Sequence, residues 1–443
     1  MRRSKIRKGA TAVGVCVAVS LICWTLSASD QRLVAKTGAR SWVKLTGRKL
    51  LMPIGLFDSM CDSSGARDLP EFGGGCYLRD KLTCNGLPVI HSAFAEAARN
   101  ELVFVGVKRR DDAWETETFI CEFPNGEASL TDPIVRDYRS FGNGYPQYLV
   151  VITCPIPRGL ADAISRRHII RFTVNFRLAR DPRYAYTGVP VCLTEPVRRE
   201  LTLCTMVKDM AKYIPDWMFY YKNLGVEHVY IYDNDPSSNM HQDLEDYVST
   251  GFVTLVPWAH TPSPDKTYLE VQIAHENDCL WRHRHNTKWV LKVDVDEFVQ
   301  PMDPNRTRIT DYLSSPRLAS MATIRMRNWF FGRPLNAKRK VVAARTVFER
   351  NPWRVPSATP ENRGRDKCII RPVNVHYFKI HGVKIGGDTL TLDPETEFRL
   401  VHYRKDNPRH RGFRMRNLVK DTSMVNLWDK MTGGRVVSPE LFT

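Results

Sequence analysis

The chain has 443 residues, 43% of them apolar and 26% charged, with a formal net charge of +17. That length buries a large core and accommodates two domains plus appendages, in proportions ordinary for a globular protein. A charge of +17 would point to nucleic acid in a cytosolic protein, but the N-terminus makes other partners the better candidates and no nucleic acid is expected.

Arg2, Arg3, Lys5, Arg7 and Lys8 precede Gly9–Ser29, a stretch of 21 residues without a charge. About 20 residues span a bilayer core, and flanking basic residues stay cytosolic. The expectation is a cytosolic tail over 1–8 and a transmembrane signal anchor over 9–29, with the remaining chain lumenal. A cleavable signal peptide is the alternative, since Leu26-Ser27-Ala28-Ser29 offers small residues for cleavage. Behind an anchor, the positive charge suits nucleotide phosphates, an acidic polysaccharide or simple solubility.

Nine cysteines follow the anchor, an odd number, so at least one stays free or pairs between chains. No Cys-x-x-Cys or zinc spacing is present, which favours disulfides. Asn305-Arg306-Thr307 is the only glycosylation sequon, set among Pro301, Asp303 and Pro304 in an expected surface turn.

Residues 30–84, with Gly73-Gly74-Gly75 and no sustained period, read as a stem. Residues 85–197 read as a small antiparallel β-rich domain. Leu102–Val107, Thr118–Cys121, Tyr148–Cys154 and Ile169–Phe176 are β-branched or aromatic runs bounded by turn residues. Cys121 and Cys154 each end one of these strands and are expected to pair.

The pattern changes near Thr202. Leu201–Met206 reads as a strand, Ala211–Leu224 as a helix stopped by Gly225, and Val226–Tyr232 as a second strand ending in Asp233-Asn234-Asp235. A short helix (Asp243–Tyr247), a third strand (Phe252–Val256) and a longer helix (Thr267–Arg284) lead into Lys288–Phe298. Alternation of this kind predicts an α/β fold, a mostly parallel sheet with helices on both faces, over 198–420. Residues 421–443 are taken as a C-terminal tail.

Lys288–Phe298 is the most informative stretch. Apolar residues broken by one lysine give way to three acids, Asp294, Asp296 and Glu297, within four positions. On an extended backbone Asp294 and Asp296 project from one face, roughly 7 Å apart at Cα. At the carboxyl edge of a sheet, where α/β folds bind ligands, they would hold Mn2+ or Mg2+ with a bridging diphosphate. That is nucleotide-sugar transferase chemistry. An Asp-x-Asp at a strand end also opens dehalogenase-type phosphatases, but Phe298 stands where Thr or Val would be expected.

His376 and His402 each follow apolar, strand-like residues and are candidate further ligands. Asp233 and Asn234 end a strand where a nucleoside would lie, although a turn built from its favourite residues explains them as well. The basic residues after His402, from Arg404 to Lys420, read first as a solvated helix face; any folded over the metal would hold a diphosphate. No Gly-x-Gly-x-x-Gly after a strand, Walker loop, Gly-x-Ser-x-Gly or His-Glu-x-x-His occurs, so dehydrogenase, kinase, lipase and zincin readings lose support.

These residues also form an ordered series. Leu203-Cys204-Thr205-Met206-Val207-Lys208, Ile214-Pro215-Asp216-Trp217, Leu224-Gly225-Val226-Glu227-His228 and Ile231-Tyr232-Asp233-Asn234 come first. Trp289-Val290, Asp294-Val295-Asp296-Glu297-Phe298, Phe331-Gly332, Val375-His376 and His402-Tyr403-Arg404 follow. The series resembles glycosyltransferase family 92, over roughly Cys192–Lys420. The resemblance implies a GT-A fold, Mn2+, inversion, and a Golgi type II membrane protein. It also implies a UDP-sugar donor, UDP-galactose first, and a glycan or polysaccharide acceptor such as β-1,4-galactan. The β-rich segment resembles a carbohydrate-binding-like accessory domain. Arg333-Pro334-Leu335 departs from the Pro-Ser-Gly that follows Phe-Gly in plant members, which puts the acceptor in doubt.

Metal ligands are therefore expected at Asp294, Asp296 and His402, with His376 second to His402. Lys208, Asp233, Asn234 and Asp294 are the expected nucleotide-sugar contacts. Glu349 and Glu361 are base candidates because they fall between the acidic strand and the histidines. A non-catalytic carbohydrate-binding scaffold and a lumenal metal-dependent phosphohydrolase are the rival readings.

Overall fold

The computed structural model describes residues 61, 77–78, 80–84, 86–108, 117–136, 148–166, 171–193, 198–208, 210, 214–235, 239–262, 268–303, 305–332, 346–359, 365–403 and 417–433. The anchor over 9–29, most of the stem, Glu361 and the basic residues from Arg404 to Arg416 lie outside the described residues. Among the described residues, no helix is long and apolar enough to cross a membrane.

The first half builds β1 (Val89–Glu96), β2 (Glu101–Lys108), β3 (Phe119–Glu122), β4 (Ala128–Leu130), β5 (Asp132–Arg136), β6 (Tyr148–Pro155), helix α1 (Arg158–Ser165), β7 (Phe172–Leu178) and β8 (Ala185–Leu193). The strands form one sheet in the order β4-β3-β7-β8-β1-β2-β6-β5. The β1–β8 ladder is parallel and the others are antiparallel, so the expected antiparallel domain is mixed at its centre. β7 alternates buried and partly exposed residues, the period-2 signature of a half-buried strand, and Phe104, Phe119, Phe176 and Tyr186 fill the core. A disulfide joins Cys121 to Cys154. A second joins Cys61 to Cys84, and Leu78 and Leu82 share this core, so the end of the expected stem belongs to the domain.

The second half comprises β9 (Arg199–Val207), α2 (Ile214–Leu224), β10 (His228–Asp233), α3 (Met240–Asp243), α4 (Glu245–Ser249), β11 (Val253–Pro257), α5 (Leu269–Arg282), β12 (Thr287–Lys292), β13 (Glu297–Pro301), α6 (Ile309–Leu313), β14 (Thr323–Met326) and β15 (Asn328–Gly332). It continues with α7 (Val347–Arg350), β16 (Trp353–Arg354), β17 (Lys367–Ile370), β18 (Val375–Lys379), β19 (Gly382–Gly386), β20 (Thr389–Thr391), β21 (Phe398–Tyr403), β22 (Val419–Lys420) and α8 (Ser423–Thr432). The central sheet runs β11-β10-β9-β12-β17-β14-β20. Its first four strands are mutually parallel and β17 is antiparallel to both neighbours. A second sheet, β13-β21-β15-β16-β22, lies beside it.

Helices cover both faces, as the alternation predicted. Trp217, Tyr221 and Leu224 of α2, at helical spacing, pack with Leu201, Leu203 and Leu291 on one face. Gly225 ends α2 at φ +105°, a conformation that L side chains rarely adopt, and a Cβ there would lie 3.1 Å from Thr310 Oγ1.

On the other face α5 lies between the sheet and the β-rich domain, and nearly every residue of it is buried. Its polar residues are paired to suit. The Arg282 guanidinium donates to both carboxylate oxygens of Asp278 (2.9 and 2.8 Å) and stacks 4.0 Å from the Tyr77 ring centroid. Tyr232 donates to Asp278 as well (2.5 Å), and a disulfide ties Cys279 to Cys204 on β9.

At the C-terminus, Met424, Leu427 and Trp428 of α8 enter the core of this second half. Arg399 bridges to Asp421 (2.9 Å). These contacts make residues 421–433 part of the domain rather than a tail, because their apolar face has no other place to go.

Candidate functional site

The Asp-Val-Asp stretch is not one extended strand. β12 ends at Lys292, and the chain turns so that the Glu297 amide donates to the Asp294 carbonyl (3.0 Å) before β13 enters the second sheet. The Asp294 amide in turn donates to the Glu297 carboxylate (2.8 Å). This closed turn overturns the expectation that Asp294 and Asp296 share a strand face.

Across the β13–β21 ladder Glu297 faces His402. The His402 Nε2 atom lies 3.3 Å from Asp296 Oδ2, and Nδ1 lies 3.5 Å from Glu297 Oε1. Asp296, Glu297 and His402 each offer a ligand atom, all within 4.8 Å of one another. Asp294 is outside this group. Its carboxylate accepts from the Lys367 ammonium at 2.8 Å, and the same ammonium lies 3.4 Å from Glu297 Oε2. So the structure brings Asp296 and His402 together, adds Glu297, and sends Asp294 to a lysine.

The electrostatics follow from burial and proximity. Burial, with Asp294 and Asp296 nearby, pushes the Glu297 carboxyl up to about 7 against the pull of Lys367. Partial burial would also raise Asp294, but Lys367 outweighs it and holds that carboxyl below its usual range. His402 is the mirror case. Burial opposes its charge, yet Asp296, Glu297 and Asp294 together raise its pKa.

Helix α2 fixes the turn from below. The Trp217 indole donates to the carbonyls of Asp294 and Glu297, 3.2 Å each. The Tyr221 hydroxyl donates to the Glu297 carbonyl (3.0 Å) and accepts from the Val299 amide (3.1 Å), while Tyr220 donates to the Val299 carbonyl (2.6 Å). β13 is an edge strand, and these phenols satisfy backbone groups that a neighbouring strand would otherwise pair.

The ends of β9, β10 and β11 form the adjoining rim, where Val207, Asp233 and Pro257 lie in register. Asp233 is half-buried and accepts from the Asp235 amide (3.0 Å). Asn234 is buried, and its amide donates to the carbonyls of Trp258 (2.6 Å) and His260 (2.9 Å); it anchors the segment after β11 rather than facing the rim. Lys208, half-buried at the end of β9, has its ammonium 5.5 Å from the Tyr268 ring centroid.

His376 is not placed with the acidic turn. Arg99 of the β-rich domain lies against its ring (3.4 Å), Trp281 is 6.1 Å away, and burial with Arg284 and Arg99 lowers it to about 4. Among the described residues its strand, β18, pairs only with β19 in a separate two-stranded sheet, and His376 is not in the ligand group. Glu349 lies on α7, whose Phe348 packs on Phe298 (4.9 Å) and Tyr403 (5.6 Å). The Glu349 amide donates to the Thr346 hydroxyl (3.2 Å), which caps that helix. Asn305 is exposed in its turn, with its backbone N–H donating to the Asp303 carboxylate (2.9 Å).

Sequence reasoning missed two residues here. Glu297 was read as part of an acidic run. Lys367 gave no signal beyond a lone lysine opening the apolar run Cys368-Ile369-Ile370.

Several known proteins are similar to this chain. A glycosyltransferase family 92 protein of Oryza sativa subsp. japonica is 28% identical over 192 residues, 41% of this chain and 30% of that protein. A Caenorhabditis elegans protein named beta-1,4-galactosyltransferase galt-1 is 24% identical over 278 residues, 60% of this chain and 61% of its own. The chain thus spans under two thirds of the length of these relatives. Among solved structures, the mannosyltransferase PcManGT from Pyrobaculum calidifontis in complex with GDP-Man and Mn2+ overlaps 50% of this chain and 61% of that one at 15% identity, with a TM-score of 0.28. Residues 199–432, more than half of the chain and including the whole acidic turn with its histidine partner, match Glycosyltransferase family 92, and the chain belongs to that family.

Proposed function

We propose that this chain is an inverting, metal-dependent glycosyltransferase of the GT-A type. It moves a hexose, galactose first, from a UDP-sugar to a glycan or polysaccharide acceptor. The observation that carries the reading is the convergence of Asp296, Glu297 and His402 beside the carboxyl edge of four parallel strands. Two carboxylates and an imidazole suit Mn2+ or Mg2+. His402 Nδ1 is buried with no hydrogen-bond partner, an orphaned polar atom of the kind a bound group satisfies.

Asp296, Glu297 and His402 would hold the ion, which when bound supplies a positive charge against the negative charge building on the departing diphosphate. Asp233 and Lys208, on the neighbouring strand ends, would contact the nucleoside side of the donor. Asn234 supports them by fixing the backbone of Trp258 and His260. Trp217 and Tyr221 keep the ligands at fixed spacing, so the donor meets a site already organised. The acceptor hydroxyl then attacks the anomeric carbon from the face opposite the UDP, and an Asp or Glu takes its proton.

Galactose is favoured by the name of the nematode relative. The disulfides and the exposed Asn305 sequon favour an oxidising lumen, in line with a Golgi type II protein anchored through 9–29.

UDP release from a donor panel, with and without a glycan-array acceptor, tests the reading. UDP-galactose should give acceptor-dependent release that EDTA abolishes. Free phosphate released without acceptor would mean a phosphohydrolase, and no turnover with any donor would mean a binding scaffold.

A further inference from the structure

Lys367 carries charge at a place where a metal site would not be expected to tolerate it. It opens β17, opposite the end of β12, and its side chain is 1% exposed. Its ammonium meets two carboxylates and splits them unequally: 2.8 Å to Asp294 Oδ2 and 3.4 Å to Glu297 Oε2. The other oxygen of Glu297, Oε1, faces His402. Glu297 therefore stands between a buried ammonium on one side and the candidate metal position on the other. Asp294, although drawn to the lysine, keeps 43% of its side chain exposed.

A buried ammonium is stable only against opposite charge, and here that charge comes from Asp294 and from Glu297 of the metal group, with Glu276 adding to it. Two consequences follow. Asp294 is tethered away from Asp296, which explains why the compact group contains Glu297 and not the first aspartate of the pair. The site is also less negative than its three carboxylates suggest, so a free divalent ion gains little there. A diphosphate arriving with the ion restores the missing negative charge.

We infer that Lys367 is a positioning residue: it holds Asp294 out of the ligand set and makes capture of the metal depend on the nucleotide's diphosphate. This rests on the metal-dependent reading above and adds an order of binding to it.

The test is an Mn2+ titration of the full chain, followed by the electron paramagnetic resonance signal of the free ion, with and without UDP. Wild type should bind Mn2+ at least tenfold more tightly with UDP than alone. Lys367→Met and Lys367→Gln should bind Mn2+ alone at least tenfold more tightly than wild type and show a correspondingly smaller UDP effect. Lys367→Arg, which keeps the charge, should behave as wild type. The glutamine variant retains a donor for Asp294 and guards against a folding defect in the methionine variant.

Wild type binding Mn2+ equally well with and without UDP overturns the inference without recourse to any variant. So do folded methionine and glutamine variants with wild-type Mn2+ affinity and wild-type UDP enhancement; in both cases the metal reading survives. Wild type that binds no Mn2+ even with UDP removes the metal reading and this inference together.

Discussion

Glu297 and His402 are opposite partners on an antiparallel ladder, Glu297 in the first turn beyond β12 and His402 more than a hundred residues later. Their pairing converts an acidic turn into a three-residue cluster of candidate ligands, because Asp296 lies one residue before Glu297 and 3.3 Å from the imidazole. Of the three, only His402 comes from a distant segment, so it is the side chain whose removal opens the site without disturbing the turn. His402→Gln is expected to weaken Mn2+ affinity by about tenfold or more while leaving the melting temperature near wild type. Isothermal titration with Mn2+ and UDP, alongside a thermal melt, checks both halves.

Tyr221 serves the backbone of the turn rather than its side chains. Tyr221→Phe leaves the Glu297 carbonyl with its Trp217 donor but strips the Val299 amide of its acceptor. A buried amide left unpaired costs about 1–3 kcal/mol. Urea denaturation should show that loss. Donor KM should rise as well, since the carboxylates shift with their backbone; a stability loss with unchanged KM would mean that α2 supports the fold alone.

The disulfide between Cys121 and Cys154 closes a loop with a sequence separation of 33 within the β-rich domain. Replacing both with Ser is expected to destabilise that domain by about 2–4 kcal/mol. Limited proteolysis should then cut preferentially between residues 86 and 193.

Glu276 gives a pH prediction with a definite sign. Burial, opposed by Lys292 and Lys367, raises its carboxyl from 4.5 to about 7. Between those values the folded chain holds a proton that the unfolded chain has released, so this group makes stability fall as pH rises through the window. Glu276→Gln removes that loss. Relative to wild type it should be nearly neutral at low pH and stabilising by up to about 3 kcal/mol above the upper value, as read by urea denaturation across pH.

Much of the fold was legible because the chain is locally consistent. The strand at Leu201–Met206, the helix ending at Gly225, the strand before Asp233 and the long helix before Lys288 all appear within a few residues of their expected bounds. Hydrophobic periodicity reports these elements directly. It failed where the decision was made by distant contacts. Val293 continues the apolar pattern of β12, yet the chain turns after it because Trp217 and Tyr221 capture the next carbonyls. His376 and His402 look alike in sequence, each after an apolar run; only strand register separates the one against Arg99 from the one against Glu297. Lys367 was illegible, since a lysine declares nothing about a carboxylate 73 positions away.

The most direct test of the account is Mn2+-dependent UDP release by Asp296→Ala, compared with wild type at matched thermal stability. Loss of the carboxylate nearest His402 should lower turnover by on the order of a hundredfold or more, with the variant still folded. Turnover close to wild type in a folded Asp296→Ala protein would contradict the claim that this turn holds the ion on which transfer depends.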